Sequence, residues 1–262
     1  RDLLENFQTT GTSHIVALSG YNITLVGRSL MQTRLLFTAP FYASSWIASG
    51  AIVFFVLLTG ASASVVRAGI MGLLLLLAER SGRLYRMTNA LVFAAGLMVF
   101  HNPAILGFDA AFELSFLATV GLIYVSPRVE KWFYRLARRI KMVLGLPHRP
   151  LESDEKAAFL SAVGVNKIKM ILIETVSAQI AVLPLLVYLF GRVSLISPLT
   201  NVLILITVPL TMGLGFLMGL AGYLWQPLAS VIGWPVWLLI TYQIRVIEFF
   251  ARFPHASVEV FW

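Results

Sequence analysis

Long apolar runs alternate with short polar ones along this chain. Eight apolar stretches stand out, at about 13–27, 40–58, 61–78, 89–101, 110–126, 170–190, 197–223 and 229–251. Each is a candidate membrane helix, since about 20 apolar residues cross a bilayer core. The second carries no charge from Trp46 to Leu58 and closes at Thr59-Gly60. The third runs through Gly69-Ile70-Met71-Gly72 into Leu73–Leu77. The stretches at 13–27 and 89–101 are short for a core about 30 Å thick at roughly 1.5 Å per residue. Either half-helices or segments packed among neighbours would accommodate them.

One substantial hydrophilic region interrupts the pattern, at 127–169. Its first part sets Val129, Trp132, Phe133, Leu136, Ile140 and Val143 on one helical face, with Lys131, Arg135, Arg138 and Arg139 opposite. This predicts an amphipathic helix, read either as an arm contacting nucleic acid or as a helix lying on the membrane surface. Basic residues near an anionic leaflet gain about 1 kcal/mol each, so lipid alone explains the helix. Pro147–Glu155, with Pro147 and Pro150, reads as a linker.

Composition settles the class. The 262 residues are 58% hydrophobic and 12% charged, with a mean hydropathy of +0.84. Soluble domains are roughly 45–50% apolar and about 25% charged. A soluble globule, a disordered chain and an ordinary nucleic-acid-binding domain are thereby excluded. The fold class expected is an all-α, polytopic integral membrane helical bundle, forming a single domain over 1–262. The chain starts at Arg1 and ends at Trp262, and is read as a piece of a longer protein. There is no cysteine, hence no disulfide framework and no thiolate chemistry.

Charge gives an orientation. Arg28 and Arg34 follow the first stretch, Arg80, Arg83 and Arg86 the third, and ten more Lys and Arg lie between Arg128 and Lys169. If the spans alternate, these fall on one side, which the positive-inside rule assigns to the cytoplasm. Both termini then point away from the cytoplasm. Arg245 and Arg252 fit this scheme least well.

Polar residues inside apolar stretches carry the chemistry, because a buried charge costs about 2.5–3.5 kcal/mol on insertion scales. Arg67 stands in Ser62-Ala63-Ser64-Val65-Val66-Arg67-Ala68-Gly69, among small residues that permit close helix contact or leave room for water or a polar strand. It is expected to meet an anionic polymer, to pair with Glu113 or Glu174, or both. Glu113 and Glu174 lie one turn inside their stretches, within reach of an interface, and Gln179 lies deeper and needs an interhelical partner. In the first stretch His14, Ser19, Asn22 and Thr24 are too many polar groups for a lipid-facing helix, and Ser19-Gly20 favours a break. His14 reads as a structural, hydrogen-bonded residue, and no metal site is expected around it. Pro184 is expected to interrupt the sixth stretch, while Pro198 and Asn201 open the seventh and Pro209 falls inside it. Interrupted helices in both halves suit a central translocation path, and packing kinks would explain them equally.

Several of these islands stand in an ordered series. His14–Val26, Ser64–Met71, Asn102-Pro103, Phe112–Leu122, Ala178-Gln179 to Pro184, and Phe190-Gly191 to Asn201 resemble, in that order, the membrane competence domain of the ComEC family. The resemblance implies an inner-membrane channel for DNA uptake in natural transformation. One strand would pass to the cytoplasm while the other is degraded, with OB-like and metallo-β-lactamase-like domains attached outside the cytoplasm. Two departures stand out. Tyr21-Asn22 occurs where the family often has Leu-His, and Glu113 occurs where it usually has Gln before Leu-Ser-Phe. A negative Glu113 would repel phosphate, so it is expected to neutralise a neighbouring arginine.

The function expected is therefore passage of single-stranded DNA, with Arg67, Asn22, Asn201, Ser19 and Gly20 as candidate pathway residues. His14, Glu113, Glu174 and Gln179 are assigned to intramembrane pairing, and the basic loop to a cytoplasmic partner or the emerging strand. No Walker-type loop occurs, so energy is expected from a cytoplasmic ATPase or helicase. Expected partners are single-stranded DNA, membrane lipids, that ATPase, and extracytoplasmic DNA-binding or nuclease domains. No cofactor and no catalytic residue is expected. His14, Ser19 and Ser115 lack the spacing of a nucleophile–base pair, and a proton-driven transporter or flippase using Glu113, Glu174 or His14 is the rival reading.

Overall fold

A computed structural model describes residues 3–12, 41–143, 165–194, 196–253 and 257–259. The first apolar stretch, with His14, Ser19, Gly20 and Asn22, lies outside the described residues. The chain divides into two compact units, one of Arg1–Ser13 with Tyr124–Trp262 and one of His14–Ile123.

In the His14–Ile123 unit, α2 (Phe41–Leu58), α3 (Ala63–Arg80) and α4 (Met87–His101) follow one another, after α1 (Leu3–Thr9) of the other unit. Gly60, at φ +73°, and Ala61, at φ +51°, turn the chain between α2 and α3, and the Ala61 amide closes on the Val56 carbonyl. Ala48, Ile52, Val65 and Leu76 bury the contact between these two helices. A Cβ on Gly69 would stand 2.7 Å from Val56 Cγ2, so the helices approach as closely as glycine allows. Met71 meets Ala90, Leu91 and Ala94 of α4, where alanines again admit a close neighbour. The one-turn α5 (Ile105–Phe108) leads to α6 (Ala110–Val120). Asp109 starts α6 by accepting hydrogen bonds from the Ala111 and Phe112 amides at 2.9 and 3.1 Å.

A π-helical turn, Gly121–Val125, carries α6 into α7 (Ser126–Val143), the amphipathic helix. The other unit continues with α8 (Val165–Phe190), β1 (Arg192–Ser194), α9 (Ser197–Leu205), α10 (Val208–Leu224), α11 (Gln226–Ala251) and β2 (Ser257–Glu259). Lys169 of α8 sets its ammonium 3.4 Å above the Tyr134 ring of α7. α10 and α11 form an antiparallel pair through the short Leu224–Gln226 turn.

The described residues are helical in the main, as expected of an all-α fold, with one short addition: the three-residue strands β1 and β2 pair antiparallel with Val193 opposite Val258. Pro184 does not end its helix, since α8 runs through it to Phe190. Among the described residues three helices are long and apolar enough to cross a membrane, Ala110–Leu136, Ile168–Phe190 and Gln226–Ala251. A fourth span arises if α9 and α10, bent by 42°, count as one. Among the described residues the other apolar segments are not confirmed as spans: α3 takes Arg67, Glu79 and Arg80 into its 18 residues, and α4, with 15 residues, rises only about 22 Å. The break at Ile206-Thr207 precedes Pro209, whose ring fits the first turn of α10.

The helices present many large apolar side chains outward. Phe54 is 63% exposed, Phe100 88% and Leu224 81%. Exposed apolar surface on this scale needs a non-aqueous neighbour, and with the long apolar helices it makes this an all-α membrane protein in its main architecture.

Candidate functional site

Ser115 and Thr119 stand four residues apart and so share one face of α6. Arg67 reaches them from α3. Its Nε donates to Ser115 Oγ at 2.9 Å and its Nη1 to Thr119 Oγ1 at 2.5 Å, with Met71 Sδ at 3.7 Å from Nη1. The Phe116 ring centre lies 5.7 Å from the guanidinium carbon. Phe112 is buried and stacks at 4.3 Å from Phe116, fixing that ring. Arg67 is thus held by hydroxyls and an aromatic face. Among the described residues of its unit no carboxylate pairs with it, so the expected neutralisation by Glu113 is not what the structure shows. Glu113 lies half-buried in the first turn of α6, where the helix dipole favours a negative charge.

Tyr85 joins the same neighbourhood from the α3–α4 turn. Burial pushes its hydroxyl above the ordinary tyrosine value, and the Arg67 guanidinium partly offsets that rise.

A second polar cluster lies in the other unit, where α9 begins. Thr10, Thr12, Ser177, Ser194, Ser197, Thr200 and Asn201 are all buried. Thr10 and Thr12 hydroxyls are 2.8 Å apart. Gly11, at φ +67°, lies against Ser197 and Ser194: an added Cβ would stand 2.8 Å from Ser197 Cβ. Gln179 Nε2 donates to the Ser194 carbonyl at 2.6 Å, so its partner is strand backbone rather than a helix side chain. Asn201 Nδ2 donates to Ser197 Oγ at 3.4 Å, while its buried Oδ1 has no partner among the described residues.

Gln243 of α11 holds the α9–α10 break. Its Nε2 donates to Thr207 Oγ1 at 3.0 Å and to Thr211 Oγ1 at 2.9 Å.

The structure therefore places Arg67 and Asn201 in separate units, each in a polar setting. Glu174 is exposed on α8, and Lys131, Arg135 and Arg139 are exposed on α7, with the Arg138 side chain outside the described residues. Sequence reasoning passed over Thr119 and Gln243. The Ser115–Thr119 spacing within an apolar stretch was the available signal for the first; nothing local marks Gln243 as the residue opposite a helix break.

These features define a helical membrane protein with a half-buried, hydroxyl-held cation and a broken helix. Residues 1–262 match the family described as Competence protein, and the chain belongs to that family, the ComEC-type competence proteins. It is 25% identical over 202 residues to ComE operon protein 3 of Bacillus subtilis (strain 168), an alignment covering 77% of this chain. That alignment spans 22% of the relative's length. No solved structure matches the chain.

Proposed function

We propose that this chain is the membrane part of a DNA-uptake protein, a channel of the inner membrane that passes single-stranded DNA into the cytoplasm during natural transformation. Family membership along the whole chain supports a role in competence. The observation that carries the channel reading is the partner set of Arg67. A carboxylate would cancel the guanidinium charge. Ser115 and Thr119 instead satisfy two N–H donors and leave the charge in place. Such a cation attracts a phosphodiester through charge-assisted hydrogen bonds. Ser115 and Thr119 lie within the candidate span Ala110–Leu136, and a cation held against such a span ordinarily marks a pathway.

In this reading the chain conducts and does not cleave. Degradation of the second strand belongs to a domain in the remainder of the longer protein, and the driving force to a cytoplasmic ATPase. The basic face of α7 then lies on the cytoplasmic side with the emerging strand or that ATPase, and both termini lie opposite. The test is uptake of labelled DNA by cells carrying Arg67→Ala at normal protein level. Uptake should fall by about tenfold or more, the range for losing one charge-assisted contact of ~1.5–3 kcal/mol. Undiminished uptake removes Arg67 from the pathway.

A further inference from the structure

Arg245 and Phe249 stand four residues apart on one face of the end of α11, and Arg252 follows as its C-cap residue, seven positions after Arg245. All three are exposed, Phe249 by 59%. With Leu203 of α9 and Glu248 they border an open cleft of about 520 Å³. Phe253 continues the aromatic surface, its ring centre 5.5 Å from that of Phe249. Two guanidinium groups against one carboxylate leave the cleft net positive. These are also the arginines that charge orientation places on the side where membrane proteins carry few. The positive-inside rule accounts for neither.

Resting on the DNA-uptake reading above, we propose that this cleft is a docking groove for the single strand on the side of the membrane opposite the basic loop. Phosphates engage Arg252 and Arg245 in turn, and a base stacks on Phe249, the pairing of cations and aromatic faces by which single strands are held. A phospholipid headgroup offers the same phosphodiester chemistry, and depth separates the two. Seven helical residues put the arginine positions about 10 Å apart along the axis. Headgroup phosphates lie at one level, whereas a strand running along the helix meets both. Glu248 limits the attraction, keeping the contact weak enough for the strand to move on. The α9 segment that supplies Leu203 also carries Asn201.

The experiment uses the full-length protein in nanodiscs of zwitterionic lipid and a fluorescent oligothymidylate, with affinity measured across salt concentration. The double variant Arg245→Ala, Arg252→Ala should lower the slope of log affinity against log salt by about 1.4, at roughly 0.7 per phosphate on a single strand. The Arg245→Lys, Arg252→Lys pair should keep the slope. Phe249→Ala should weaken binding by roughly tenfold at unchanged slope. If wild type binds the strand and the alanine pair leaves the slope unchanged, the cleft proposal fails while the DNA reading stands. A lysine pair that loses the slope as fully as the alanine pair overturns the charge argument. If the alanine pair instead loses co-purifying anionic phospholipid with strand binding intact, the cleft is a lipid site. A wild-type protein that binds no strand, in cells that take up none, overturns both readings.

Discussion

Arg67 Nη1 donates to Thr119 Oγ1 at 2.5 Å, while the same threonine hydroxyl donates to the Ser115 carbonyl at 2.9 Å. The hydroxyl thus gives its proton to its own helix and accepts from the arginine of another on a lone pair. Ser115 adds its own oxygen to Nε one turn earlier, so α6 presents a two-oxygen cradle whose spacing follows from the helical repeat. The cation is oriented by hydroxyls, with no carboxylate paired to it among the described residues.

Thr119→Val keeps the shape of the side chain and removes that oxygen. A hydrogen bond to a charged group is worth about 1.5–3 kcal/mol, so thermal unfolding in lipid should show a loss of that order. Thr119→Ser should retain most of it. In a cycle with Arg67→Met, the valine substitution should become nearly neutral, because residues that share one bond are coupled. An equal cost in both backgrounds would show that Thr119 acts through packing alone.

Gly11 and Gly60 separate backbone strain from steric overlap. Both have positive φ, +67° and +73°, but a Cβ on Gly60 meets nothing within 4 Å, whereas one on Gly11 overlaps Ser197. Gly60→Ala should cost about 1–2 kcal/mol for the left-handed conformation alone. Gly11→Ala should cost about 2–4 kcal/mol, because the overlap with Ser197 adds to that strain. Denaturation of the two variants under one condition gives the comparison, and equal losses would mean that Thr10–Thr12 does not seat against α9.

Tyr85 gives a pH signature outside the membrane-spanning segments. Burial raises its ionisation above the ordinary value of 10.0, with Arg67 lowering it in part. Its folded-state value therefore exceeds the unfolded one. The stabilisation of the neutral hydroxyl is complete below pH 10 and is lost as pH rises through the folded value. Tyr85→Phe should flatten the fall in melting temperature above pH 10. An unchanged alkaline profile would show that Tyr85 does not contribute to it.

Much of the helical layout follows from the apolar pattern. The stretches at 40–58, 61–78 and 89–101 return as α2, α3 and α4 with ends within two residues. Asn201 and Pro198 were legible as the opening of a broken segment, because proline fits the first turn of a helix and little else within it. The consequence of Pro184 was not legible. A membrane helix with packed neighbours accommodates the lost hydrogen bond, so α8 continues. The β1–β2 pairing escaped notice because Arg192 and Glu259 oppose each other across 67 residues of sequence, and three-residue strands leave no period to read.

The sequence alone determined that this chain lives in lipid, that its charge is asymmetric, and that one arginine lies inside an apolar helix. Those properties are local: hydropathy, basic residues and a charge at a given depth are fixed by residue type and position. The partners of Arg67 were decided only by tertiary structure. Whether a guanidinium meets Glu113 or the Ser115–Thr119 pair depends on how α3 and α6 are rotated against each other. That rotation is set where Phe116 of α6 packs on the cluster of Met71, Ala90, Leu91 and Ala94, by apolar contact rather than by any signal in the polar residues.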